Sequence, residues 1–108
     1  PIEALLHDGH VGWIMFDHDR KVLRLNPHFE DISGIRSDSA MGQELSAVAR
    51  DQLMGALLDD LFGRAAVAGE SAAQNYDFSG VPHEVRMIGL GRSGESARLW
   101  VMIAKKTE

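Results

Sequence analysis

The 108-residue chain has no cysteine. That absence removes disulfides, thiolate metal sites and a cysteine nucleophile together, and it suits a cytoplasmic setting. No run of about 18 apolar residues occurs, so no segment reads as a membrane-spanning helix and no membrane contact is expected of this segment. No signal peptide is recognisable either. Basic residues number 11 against 16 acidic ones, for a net charge of −5. With no basic stripe, direct nucleic-acid binding is excluded from the expectations. Internal repeats and low-complexity tracts are also missing. The serines lack a strained turn or an oxyanion frame: Ser33, Ser37 and Ser39 read as caps and loop residues. Asp17, Asp19 and Asp38 read as turn and cap residues rather than a carboxylate site, and Gly89-Leu90-Gly91 with Gly94 is a hairpin signal because it opens no helix. No catalytic residue and no metal ligand set is assigned. His7 and His10 are three apart, but Gly9 interrupts them and no third ligand is fixed nearby, so both read as surface residues. His18 falls in a turn, and His28 is expected on the exposed side of a short helix.

What is present is an ordinary globular balance, 44% hydrophobic and 25% charged, in a length that suits one domain with a modest core. The organising stretch is Asn26 to Gly34. Asn26 can cap a helix with its side-chain oxygen, Pro27 has the φ wanted at the first helical position, and Gly34 can adopt the left-handed conformation that stops it. Phe29 and Ile32 share a face of that helix. Before it, Val11 to Asp17 and Lys21 to Leu25 form a hairpin around Asp17-His18-Asp19-Arg20. After it come a short turn capped by Ser37, a loose turn over Glu44 to Arg50, and a long helix from Asp51 to about Ala68. Leu53, Leu57 and Leu61, with Met54, Leu58, Phe62 and Ala65, give that helix a wide apolar stripe. Ser71 to Phe78, His83 to Leu90 and Ala97 to Ala104 complete five strands, an α+β domain with an antiparallel sheet and helices on one face. Ile2, Leu5 and Leu6 suggest a short amphipathic helix before the first strand.

Asn26, Phe29, Glu30, Ile32 and Gly34, placed just after Asp17 and the strand-like Lys21 to Leu25, resemble the signature of a PAS domain. The order of elements across nearly the whole chain is similar as well. The resemblance implies a single PAS domain over residues 1–108, with 1–10 as an N-terminal helix or cap, 11–104 as the core and 105–108 as the start of an output linker. The start at Pro1 and end at Glu108 suggest a segment of a longer protein. PAS domains often carry glycine where Arg20 stands, and their output pattern of Asp, an aliphatic residue and Thr is replaced in part by Lys105-Lys106-Thr107-Glu108.

Alignment to the family through Asp17 and Asn26 places Ile14, Phe16, Leu23 and Leu25 on the inner face, with Leu99, Val101 and Ile103 of the last strand. The candidate pocket is then Ile14, Phe16, Leu25, Asn26, Leu57, Leu61, Val85, Met87 and Val101, whose simplest reading is a filled core. Only Asn26, Gln74 and Asn75 could offer it polar groups, and Gln74 and Asn75 point to opposite faces. Trp13, Met15, Trp100 and Met102 fall on the outer face, an apolar patch expected to be covered by Leu5 and Leu6 or by a second copy, which makes a homodimer the expected assembly. No cofactor is predicted. Thiol-linked flavin and thioester chromophores need the missing cysteine, haem relatives commonly use a histidine on the long helix where none occurs, and His28 and His83 are the only substitutes. A small unidentified ligand is left open. The function implied is a regulatory sensor, not itself an enzyme, controlling a histidine kinase, a cyclic-dinucleotide enzyme or a transcriptional regulator. The alternative is an interaction module that senses nothing.

Overall fold

A computed structural model describes residues 10–48, 52–91 and 99–107. Five strands, β1 (Val11–Asp17), β2 (Val22–Leu25), β3 (Gln74–Phe78), β4 (Val81–Leu90) and β5 (Leu99–Lys106), form one antiparallel sheet in the order β2-β1-β5-β4-β3. Helices α1 (Pro27–Ser33), α2 (Ser37–Ala40), α3 (Leu45–Val48) and α4 (Gln52–Ala68) lie between β2 and β3 in the chain. The expected helix through Leu5 and Leu6 lies outside the described residues.

The β1–β2 turn is built by Asp17, whose Oδ1 accepts the amides of Asp19 at 2.9 Å and Lys21 at 3.0 Å. Arg20 closes it at φ 64, the left-handed conformation for which glycine is the ordinary choice. Its side chain offsets that cost. The guanidinium carbon sits 4.7 Å from the Phe62 ring centre and 5.9 Å from that of Trp100, in cation–π range of both.

A bulge between Met15 and Phe16 shifts the β1–β2 register, so Val22 rather than Leu23 lies opposite Phe16 while Leu25 still faces Ile14. Val22 and Leu25 are therefore both buried, although three residues apart, and Leu23 is only half-buried. This corrects the inward placement of Leu23.

Gly12 lets α1 lie directly on β1. A Cβ there would stand 3.0 Å from Ile32 Cδ1 and 3.3 Å from Phe29 Cα, so a side chain at this position needs Ile32 and the start of α1 to give way slightly. Ser37 does not cap α2: it is the first helical residue, and its amide donates instead to Glu30 Oε2 at 3.0 Å. The stripe of α4 is narrower than the leucine spacing suggests. Met54, Leu58, Leu61, Phe62 and Ala65 are buried, Leu57 is half-buried, and Leu53 is 75% exposed. On its exposed side, Asp60 accepts from Gln74 at 2.7 Å and from Arg64 at 3.1 Å, joining α4 to β3. These bonds hold the Asp60 carboxyl below its ordinary value, so their contribution persists at neutral pH and is lost as pH falls through that lowered value.

The last strand differs most from expectation. Phe16 pairs with Trp100, Ile14 with Met102 and Gly12 with Ala104. Directly paired residues share a face, so Trp100 and Met102 belong to the core beneath the helices. Val101 and Ile103 lie on the outer face with Val11, against Trp13, Met15, Ile88 and Leu90. β5 also continues through Lys106, two residues beyond the expected end.

Candidate functional site

Three places in the fold bring together the residues singled out from sequence. The first is the junction at Asn26. Its Oδ1 accepts the Phe29 amide at 3.0 Å, which is the helix cap, and also the Trp13 amide at 2.9 Å. Its Nδ2 donates to the Val11 carbonyl at 2.8 Å, and its own amide donates to the Trp13 carbonyl at 3.1 Å. One side chain thus ties the end of β2, the start of α1 and the first residues of β1. Gly34 stops α1 at φ 74, its amide donating to the Glu30 carbonyl. Asn26 accordingly belongs to the framework and offers no free polar group to the interior.

The second place is the interior between α4 and the inner sheet face. Ile14, Phe16, Leu61, Val85 and Met87 meet there, all fully buried, with Leu25 also buried and Leu57 partly buried against the cluster. Val101 does not join them. Phe16, Phe62 and Trp100 stack edge to face, with ring centres 5.1 and 5.4 Å apart, and occupy the space beneath α4. Gln74 turns its amide to Asp60, and Asn75 is exposed. Trp100 Nε1 is buried and has no hydrogen-bond partner among the described residues. Ser71, which sequence reasoning placed in a strand without a role, is buried: its Oγ accepts the Met87 amide at 2.9 Å and its amide donates to the Met87 carbonyl at 2.8 Å, pairing the segment before β3 to β4.

The third place is an open cleft of about 840 Å³ between α1 and the end of the sheet where β1 begins and β5 finishes. It contains His10, His28 and His83, three of the histidines weighed and set aside from sequence. His83 is 2% exposed, His28 half-buried and His10 exposed, whereas His18 stays in its turn beside Asp19. Among the described residues no three His, Asp or Glu side chains converge as a metal site.

The sequence model of the PAS fold family matches residues 6–107. The chain is a PAS domain. Solved structures agree in fold. A domain of an HTR-like protein from Haloarcula marismortui is 18% identical over 93% of this chain and 100% of that one, with a TM-score of 0.70. A sensory box sensor histidine kinase structure from Vibrio cholerae is 11% identical over 99% and 90%, at 0.75. The photoactive yellow protein domain of the sensor histidine kinase Ppr from Rhodospirillum centenum is 17% identical over 98% and 93%, at 0.65. No curated protein matches the chain. The five-stranded sheet with helices on one face is thus the PAS arrangement, reached at identities that carry the fold alone. Among the described residues of this PAS domain, no helix is long and apolar enough to cross a membrane.

Proposed function

We propose that this PAS domain is the regulatory sensor of a larger cytoplasmic signalling protein, perceiving a signal or small ligand and controlling an attached output domain. A histidine kinase, a cyclic-dinucleotide enzyme and a transcriptional regulator are the outputs considered. Membership of the PAS family over residues 6–107 carries this reading, and the names of two similar structures, both from sensor histidine kinases, support it. The domain itself contributes no catalysis. The proposal includes no haem and no covalent flavin: the chain has no cysteine, and α4 lacks the histidine that haem-binding relatives commonly use.

The exit of the signal is the end of β5. Lys105 and Lys106 are still paired with Glu84 and His83, and the Thr107 amide donates to the Pro82 carbonyl at 3.0 Å. A movement of β4 against β5 therefore reaches the last residues of the chain directly. The experiment is an insertion of two glycines between Thr107 and Glu108 in the full-length protein. Output activity should change several-fold while the melting temperature of the domain stays the same; unchanged output would contradict the regulatory role.

A second reading, a partner-docking module without a core ligand, is favoured by one observation. The edge-to-face packing of Phe16, Phe62 and Trp100 leaves the interior occupied by the protein's own rings. Both readings use a homodimer. The corrected outer face, with Trp13 and Met15 half-buried over Val101 and Ile103, supplies the apolar surface for it.

A further inference from the structure

The open cleft beside α1 has the makings of a binding site unrelated to the core interior. Its apolar part is made by Ile32, Phe78 and Val81. Around these stand Lys105, Lys106 and the imidazoles of His10, His28 and His83, with Asp31 the one carboxylate among the described lining residues. In a chain of net charge −5, this local balance is inverted. Neither lysine is in an ion pair among the described residues.

Two polar groups in the cleft are held in place, and one of them is left without a protein partner. Thr107 Oγ1 is buried with no hydrogen bond among the described residues, while its own amide is fixed on Pro82. Such orphaned groups are uncommon in native proteins, and a bound partner is one way to satisfy them. His83 is clamped by Nδ1, 2.8 Å from the Val81 carbonyl. A carbonyl only accepts, so Nδ1 carries the hydrogen and Nε2 is the nitrogen left over. The Phe78 ring packs edge-on against this imidazole, with centres 5.1 Å apart, which holds its plane.

We propose that this cleft binds a small organic monoanion. Its negative head is held by the Lys106 ammonium and the Thr107 hydroxyl, and its apolar body lies on Ile32, Phe78 and Val81. An apolar floor with few convergent polar groups is the usual make-up of a small-molecule site. Asp31 at the rim disfavours a more highly charged ligand, since a second negative charge would meet a carboxylate. The site touches the last residues of β5, so occupancy would bear on the strand end from which the domain leads outward.

The test is an amide chemical-shift titration of the 108-residue chain at fixed ionic strength with three probes: sodium benzoate, benzamide and inorganic phosphate. Binding is read on this chain alone and needs no output domain. Benzoate should give saturable shifts at Ile32, His83 and Thr107 with a dissociation constant on the order of 1 mM. Benzamide and phosphate should bind at least about tenfold more weakly. Lys106→Glu and Thr107→Val should each weaken benzoate by about tenfold, with the remaining resonances unmoved. Absence of saturable shifts, equal binding of benzamide or phosphate, or indifference to both substitutions would overturn the proposal.

Discussion

Trp100→Glu is expected to unfold the domain. Trp100 is 6% exposed, faces Phe16 across the β1–β5 ladder and packs edge-on against Phe62. Removing a buried aromatic side chain costs about 3–5 kcal/mol, and a carboxylate in its place adds a desolvation penalty that the Arg20 guanidinium, 5.9 Å from the present ring centre, offsets only in part. Since a domain of this size has a total stability of roughly 5–15 kcal/mol, little or none remains. Far-UV circular dichroism and urea denaturation should show an unfolded or barely folded chain. Trp100→Phe, which keeps a ring and deletes the unpartnered N–H, should retain a cooperative transition. A Trp100→Glu protein melting near the parent would return this residue to the outer face.

Asn26→Ala should cost about 3 kcal/mol, well above the 1 kcal/mol typical of a lost helix cap. The excess comes from β1. Truncation leaves the Trp13 and Phe29 amides and the Val11 carbonyl without the partners they now have at 2.8–3.0 Å. Asn26→Asp separates the contributions. It keeps an oxygen for both amides but sets a carboxylate oxygen against the Val11 carbonyl, so its denaturation midpoint should fall between parent and alanine variant. An alanine variant with an unchanged midpoint would remove Asn26 from its organising position.

The same residues show what the sequence could and could not disclose. The strand-to-helix junction was legible because Asn, Pro and a following Gly each carry a conformational preference that does not depend on distant partners. That Asn26 also reaches the β1 backbone was not, since nothing local brings Val11 and Trp13 within its range. The hairpin and the long helix followed from periodicity, but the width of the α4 stripe did not. Leu53 and Met54 are adjacent and equally apolar, and only packing leaves the first exposed and buries the second.

β5 was misplaced for a related reason. Leu99 to Ala104 is continuously apolar, so its alternation carries no signal, and its faces are fixed only by pairing with β1. The family alignment gave one parity and the register gives the other. In β2 a single bulge had the same consequence for Leu23. The cleft beside α1 escaped notice because its parts come from four separated stretches, which read separately as surface, short helix, strand end with turn, and linker. A buried threonine hydroxyl and a clamped histidine leave no trace in sequence pattern.

The sheet has two unlike faces: one carries the core cluster, and the other is the surface proposed for the homodimer. Sedimentation velocity of the parent and of Trp13→Glu tests this most directly. Trp13 is half-buried on the outer face, so its replacement should leave the core rings in place. The parent should sediment as a dimer, and Trp13→Glu as a folded monomer with the parent's far-UV spectrum. A parent that remains monomeric at high concentration, or a Trp13→Glu variant that dimerises as the parent does, would contradict it.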